Sequence, residues 1–357
     1  MDRNRARGTL LGQAIGDALG TTLEFRHLPY KLWGSFTAPY RDIEGKGPFG
    51  LEAGQVTDDT QLAVALACSL MARGDLDPVD LMDRYTAWRH GAFDVGGQTS
   101  GAISSYAAAH KGRGILKDTA AVSAARQSWA SGGRRSAGNG SLMRTSPLAV
   151  FMAGRAPQAL RRAAREESAT THADPRCMIA CAAFDCAIAH ALTYPCATPE
   201  SMLIAASFGV ADSRADMLEH PKKDIFTEKE IETAADQLDL DLCMALEPDP
   251  NLYGEMRDSP TCLDMLGSQG FVRVAFRLAF WELMHAPTFV AGLIDCVDRG
   301  GDADTNGAIA GALLGARFGE DKIPSTWSEQ VMVALQGKPE SRWWTTYHPR
   351  QMMEMVP

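Results

Sequence analysis

Two stretches near opposite ends of the 357-residue chain carry glycine at every fourth position: Gly8, Gly12, Gly16 and Gly20 in GTLLGQAIGDALG, and Gly307, Gly311, Gly315 and Gly319 in GAIAGALLGARFG. Residues four apart share one helix face, so each stretch offers a ridge without side chains along which a second backbone can lie very close. The packing logic is that of small-xxx-small pairs in membranes. Each glycine costs up to about 1 kcal/mol of helix propensity relative to alanine, so close approach has to compensate. Two readings remain open: helix crowding in a large α-fold, or the two ends of the chain brought together to build one site. The eight residues account for the glycine surplus, since the chain has 33 glycines against roughly 25 at average usage.

The rest of the composition sets bounds. Hydrophobic residues make up 45% and charged residues 22%, an ordinary globular balance with enough apolar material for a large core. The formal net charge of −9 argues against a positive field for nucleic acid or for an anionic membrane. Local basic clusters could still grip a phosphate. No run of about 18 apolar residues marks a membrane span. The basic and then apolar N-terminus looks superficially like a secretion signal, but Asp17 interrupts it. The eight cysteines, at 68, 177, 181, 186, 196, 243, 262 and 296, include no CxxC pair. They read as reduced core thiols of a cytoplasmic protein rather than zinc ligands or a disulfide frame.

Apolar residues recur at helical spacing over 60–73, 101–110, 119–129, 156–167, 176–192, 199–209, 228–246, 271–285 and 287–297, and strand signals are scarce. This predicts an all-α fold of about ten or more helices. The connecting segments KGPFGLEAGQ, SGGRRSAGNGS and RGGDADTNG are rich in Gly, Pro and Asp, and long loops of this kind carry function. Residues 211–262 are more charged than their surroundings and read as a peripheral helical insertion or cap on one domain spanning 1–345. Residues 346–357 read as a tail.

Two constellations carry chemistry. Thr57-Asp58-Asp59-Thr60 opens a helix after a glycine-rich loop, and alone it reads as a helix N-cap. In the second, Asp298, Asp302 and Asp304, with Thr305 and Asn306 following, again sit in a glycine loop feeding a helix. A cap needs one acid, whereas Asp302 and Asp304 at i, i+2 can aim two carboxylates at one point. Together the segments read TDD and DxDT, a mirrored set of carboxylates and hydroxyls. Oxygen donors without His or Cys select Mg²⁺ or Mn²⁺ over zinc. Four acids in one cleft would repel unless cations neutralised them, which points to two metals. The twelve-residue EF-hand pattern is absent.

With these motifs the chain resembles the ADP-ribosylglycohydrolase family, all-α dinuclear-metal enzymes that include the dinitrogenase reductase-activating glycohydrolase and the ADP-ribosylarginine hydrolases. The resemblance rests on GxxxGxxxGDALG at 8–20, Glu24, GQVTDDTQLA at 54–63, DVGGQTSGAI at 94–103, GNGSLMRTSPLA at 138–149, His172 and GGDADTNGAIAGALLGARFG at 300–319. It implies a compact multi-helix orthogonal bundle. Two Mg²⁺ or Mn²⁺ ions would be held by Thr57, Asp58, Asp59, Asp302, Asp304 and Thr305. A catalytic set of Asp94, Glu24 and Asp59 is implied, with proton transfer assigned to Asp94 or Glu24. Asn139, Gly140 and Ser141 match a loop that holds a diphosphate through backbone N–H groups, His172 would lie near the adenosine side, and Gly96 and Gly301 join the substrate contacts.

The implied reaction is removal of ADP-ribose from a protein arginine. Breaking its C1″–N bond develops oxocarbenium character, so the site must hold the sugar, supply an acid for the leaving nitrogen and activate water. Other linkages, serine-linked ADP-ribose or O-acetyl-ADP-ribose, suit the same metal site. A protein that binds and blocks an ADP-ribosyltransferase is a reading from a different class. The expected partner is an arginine-modified protein or ADP-ribose itself, with a cognate ADP-ribosyltransferase a further option, and neither nucleic acid nor membrane. Plainer roles exist for several residues: Glu24 as a surface loop acid, Asp94 as a cap for the helix beginning near Gln98, His172 as a loop histidine, Arg134 and Arg135 as solvated arginines. Trp343, Trp344 and Tyr347 read as a strap over the fold.

Overall fold

The two glycine ridges lie against each other. In the computed structural model, which describes residues 1–26, 42–112, 116–219, 225–252, 261–336 and 346–356, helix α1 (Arg3–Gly20) runs antiparallel to α13 (Ala303–Phe318). Gly8 faces Gly315, Gly12 faces Gly311, Gly16 faces Gly307, and Gly20 faces Ala303. A Cβ placed at Gly8, Gly12, Gly16, Gly307, Gly311 or Gly315 would come within 3.0 Å of a carbonyl oxygen on the opposite helix. Backbone therefore packs on backbone over about three helical turns, and the propensity cost of glycine is offset by close dispersion contact and burial.

With this pair the described residues form fifteen α-helices and no strand, as the periodicity predicts. The others are α2 (Asp58–Arg73), α3 (Pro78–Arg89), α4 (Gly97–Gly112), α5 (Lys117–Ser131), α6 (Ser146–Met152), α7 (Pro157–Ala169), α8 (Pro175–Thr193), α9 (Pro199–Glu219), α10 (Glu228–Met244), α11 (Val272–His285), α12 (Phe289–Asp298), α14 (Ser325–Val333) and α15 (Arg350–Met353). Helices α11 and α12 cover the far side of α13, and α7, α9 and α10 enclose α8. Helix α8 is apolar enough by length and composition to span a bilayer, with a mean hydropathy of 1.3, yet 78% of that window is buried inside the fold. Its apolar surface is the core.

Caps set several helix starts. Asp2 accepts from the Arg5 N–H at 3.1 Å, Thr288 accepts from the Ala291 N–H at 3.1 Å, and Thr227 with Glu230 forms a reciprocal capping box. Helix α3 escaped the periodicity reading. Its signal was the cap itself, Asp77 followed by Pro78, ahead of the buried Leu81, Met82, Tyr85 and Trp88.

The charged segment 211–262 begins inside α9, which runs on to Glu219, and continues in α10. Buried Asp241 of α10 binds Arg273 at 2.7 Å and Arg277 at 2.6 Å on α11. A buried charge persists only when so paired, and these contacts tie α10 to the body. All eight cysteines are free. Cys177, Cys181 and Cys296 are core thiols, whereas Cys196 and Cys243 are exposed, contrary to the expectation for them. Trp343 and Trp344 lie outside the described residues; Tyr347 is buried.

Candidate active site

The antiparallel seam puts the C-terminal end of α1 beside the N-terminal end of α13, and Asp17 of α1 then fixes the start of α2. The buried Asp17 carboxylate accepts from the Thr57 N–H at 3.0 Å, the Thr60 N–H at 3.1 Å and the Thr60 hydroxyl at 2.6 Å. It thereby satisfies amides that a helix start leaves unpaired. Glu24, just past α1, does the same for α13: its Oε2 accepts from the Ala303 N–H at 2.6 Å and the Asp304 N–H at 3.3 Å. Two helix starts, each led by acids, are thus aimed at one point.

There the predicted ligands gather. Asp59 Oδ2 lies 3.0 Å from the Thr57 hydroxyl and 3.3 Å from the Thr305 hydroxyl. Asp302 accepts from the Asn139 side-chain amide at 2.7 Å, and Asp304 accepts from the Thr305 N–H at 2.7 Å. Carboxylate oxygens of Glu24, Asp302 and Asp304 lie within 4.8 Å of one another. Asp59 Oδ1 is buried and has no hydrogen-bond partner. An orphaned buried carboxylate oxygen is costly unless something outside the protein meets it.

Crowding raises the acids. Burial and then Asp302 push Glu24 up to about 8, and the same two causes push Asp94 to about 6. Burial alone raises Asp17 to about 6 against the opposing hydrogen bonds of Thr60 and Thr57. Asp58, Asp59 and Asp304 are lifted well above the carboxylate range, first by burial and then by neighbouring acids. The folded chain without metal therefore holds protons that the unfolded chain releases near pH 4. Stability should rise as pH falls through the folded value of Glu24, about 8. His172, pushed down to about 3 by burial and then by Arg144, acts oppositely, but only below the unfolded histidine value of roughly 6.5. In chelator, the melting temperature is expected to climb by a few degrees from pH 8.5 to about 6.5. A flat or falling profile in that window would count against the proton-holding cluster.

Glu24, Asp58, Asp94, Asp302 and Asp304 line a cavity of about 310 Å³ together with Gly96, Gln98, Thr99, Gly138, Asn139, Gly140, His172 and Gly270. A larger cavity of about 540 Å³ opens between α7, α8 and α9, but its lining is mostly apolar and brings no cluster of acids together. The cavity beside the acids is the one with chemistry.

Of the residues singled out in the sequence, Glu24, Asp58, Asp94, Gly96, Asn139, Gly140, His172, Asp302, Asp304 and Thr305 face this cavity, with Thr57 and Asp59 directly behind. Others go elsewhere. Ser141 turns inward, its hydroxyl 2.9 Å from that of Ser168. Gly301 is held away from the cavity, at a φ of 69°, by main-chain bonds to Phe25 and Arg26. The Asn139 N–H is donated to the Gly270 carbonyl at 2.9 Å, so its backbone cannot serve an anion as expected; its side chain instead anchors Asp302. Arg134 binds Glu230 at 2.6 Å and lies over Trp129, not over the cavity. Asp298 is buried at the end of α12 and outside the lining.

Three contributors were missed. Asp17 had a signal, a lone acid in a glycine ridge that has to be buried. Gln98, whose Oε1 accepts from the Gly138 N–H at 2.7 Å, stood inside DVGGQTSGAI without an assigned role, and Gly270 at a φ of 74° had no signal.

Comparison with known proteins places this geometry in context. The profile of the ADP-ribosylglycohydrolase family matches residues 1–343. The chain is 29% identical over 336 residues to the ADP-ribosylarginine hydrolase Tri1 of Pseudomonas putida (strain GB-1), covering 92% of this chain and 74% of that protein. It is 29% identical over 337 residues to the ADP-ribosyl-[dinitrogen reductase] glycohydrolase of Rhodospirillum rubrum, covering 93% and 92%. A solved structure described as an ADP-ribosylglycohydrolase-related protein complex superposes with a TM-score of 0.67 at 27% identity, over 99% of this chain and 96% of that one.

Proposed function

The chain belongs to the ADP-ribosylglycohydrolase family, and we propose that it hydrolyses the N-glycosidic bond between ADP-ribose and a protein arginine side chain with two divalent cations in its acidic site. Hydrolysis of ADP-ribose linkages is what the family and the relatives support. The arginine linkage rests on the relative named an ADP-ribosylarginine hydrolase.

The observation that carries the reading is the convergence of acids from both chain ends around Asp59, whose Oδ1 is buried without a partner. The donor set fits a hard cation: carboxylate and hydroxyl oxygens from Thr57, Asp58, Asp59, Asp302, Asp304 and Thr305, with no thiol among the cavity-lining residues. The one lining histidine, His172, uses its Nδ1 on Thr171. Mg²⁺ or Mn²⁺ suits such donors. Bound there, the cations would offset the acids' mutual repulsion and make water a stronger nucleophile.

The chain's own residues supply the rest. Glu24 Oε2 accepts two α13 amides, which fixes the loop against Asp304 and suits Glu24 to holding the site in shape. Asp94 lines the cavity, its carboxyl raised by burial and then by Asp302, and is placed to exchange a proton with a leaving guanidine or with water. Gly138, Asn139 and Gly140 wall the cavity beside the acids, and once the Asn139 N–H is paired with Gly270 the Gly140 amide is the donor the loop has left at that wall for an anion.

The test is a panel of arginine-linked, serine-linked and O-acetylated ADP-ribose, each with Mg²⁺, Mn²⁺ or chelator. Release from arginine that stops on chelation is expected. Release from serine or the acetyl ester with none from arginine would transfer the reading to O-linked substrates. No turnover on any of them, with tight binding to an ADP-ribosyltransferase, would replace hydrolysis by a blocking role.

A further inference from the structure

Arg144 is fully buried beneath the cavity and contacts two of its walls at once. Its Nε donates to Glu167 at 2.7 Å, and the guanidinium lies 4.8 Å over the Tyr85 ring. Its other nitrogens reach outward, Nη1 to the Gly140 carbonyl at 3.0 Å and Nη2 to the Thr171 hydroxyl at 2.7 Å. Thr171 Oγ1 in turn lies 2.8 Å from Nδ1 of His172.

The direction of this relay follows from what each group can do. Arginine only donates, so the Thr171 oxygen accepts from it. The Thr171 hydroxyl proton then needs an acceptor, and His172 Nδ1 is the one in reach. If Nδ1 carried the ring hydrogen, the hydroxyl proton would be buried without a partner, which is costly. Nδ1 therefore holds a lone pair and Nε2 holds the hydrogen. A second ring proton is opposed by burial and by the Arg144 charge.

The protonated edge is the one that meets the cavity. A Cβ at Gly138 or Gly140 would lie 3.3 Å or 3.0 Å from His172 Nε2, so glycine at both positions keeps that edge open. No described residue accepts a hydrogen bond from Nε2. We infer that Arg144 and Thr171 are positioning residues that lock His172 as the uncharged Nε2–H tautomer, making the subsite between Gly138 and Gly140 a reader of a hydrogen-bond acceptor on the ADP-ribose group. This rests on the proposed substrate class for the ligand, but the tautomer itself does not.

The experiment uses the full-length protein with ¹⁵N-labelled histidine, and the His172 ring signals are assigned by their loss in His172→Gln. Ring ¹⁵N shifts and their couplings to the carbon-bound protons should show Nε2 protonated and Nδ1 bare without ligand. Thr171→Val, which removes the hydroxyl at nearly constant volume, should release the lock and give mixed tautomers; Thr171→Ser should keep it. On an ADP-ribosylated substrate, Thr171→Val should raise KM about tenfold, the equivalent of one hydrogen bond, with kcat within about twofold. Thr171→Ser should restore the KM. A ring hydrogen on Nδ1 in the parent protein, an unchanged tautomer in Thr171→Val, or an unchanged KM in that variant would each overturn the inference. Arg144→Lys is a poor single test because it disturbs a buried ion pair, and Thr171 avoids that. Should no ADP-ribosyl substrate be turned over, the function proposal fails and the spectrum still decides the lock, with ADP-ribose affinity in place of KM.

Discussion

Asp304→Asn is expected to lower release of ADP-ribose from modified arginine by at least about a hundredfold, because it removes one charged oxygen donor from the set that would hold the cations. The fold should not suffer. Asp304 is held high by burial and then by Glu24, Asp59 and Asp302, so its removal relieves a like-charge cluster rather than breaking an attractive pair. In chelator the variant should therefore melt at or above the temperature of the parent. Added Mg²⁺ or Mn²⁺ should raise the melting temperature of the parent, since a ligand bound only by the folded state stabilises it, and should raise that of the variant far less. Full turnover by Asp304→Asn, or turnover by the parent in excess chelator, would sink the metal site. A variant that loses activity and melts well below the parent in chelator would instead show Asp304 to be structural.

Gly16→Ala is expected to cost at least about 3 kcal/mol, at the upper end of overpacking substitutions. Its new Cβ would meet the Gly307 carbonyl oxygen and carbon, which belong to a buried backbone that cannot swing aside. Helix propensity favours alanine by up to about 1 kcal/mol and so opposes the loss without outweighing it. Gly101→Ala in α4 is the matched control: a Cβ there meets nothing within 4 Å, so the propensity gain should appear alone. Denaturant unfolding of both variants decides the matter. Equal effects of the same sign would mean that the seam is looser than a backbone-on-backbone contact.

The legible part of this molecule was that in which residue type and spacing have few meanings. Two glycine ridges at a four-residue interval can serve little besides close helix packing, and TDD with DxDT after glycine loops gather oxygen donors that a cap alone does not need. What stayed hidden depended on long-range partners. Asn139 lost its N–H to Gly270, and Arg134 found Glu230, through contacts spanning more than 90 residues. Ser141 was expected to offer its backbone N–H, and spacing said nothing of its hydroxyl, which lies 2.9 Å from that of Ser168 just before the short 3₁₀ turn at Leu142–Arg144. Helix α3 buries only Leu81, Met82, Tyr85 and Trp88, so its cap at Asp77 marks it more clearly than its apolar spacing does.

The seam between α1 and α13 also orders the life of the chain on the ribosome. Glu24 must wait for Ala303, 279 residues later, before its carboxylate meets the amides it caps. Until α13 emerges, the bare glycine face of α1 and the acids of α2 have no counterpart, and contacts this distant form late and slowly. A chain cut before α13 would thus hold Glu24, Asp58, Asp59 and Asp94 without Asp302 and Asp304, and none of the completed site, so hydrolysis begins only after α13 has been made.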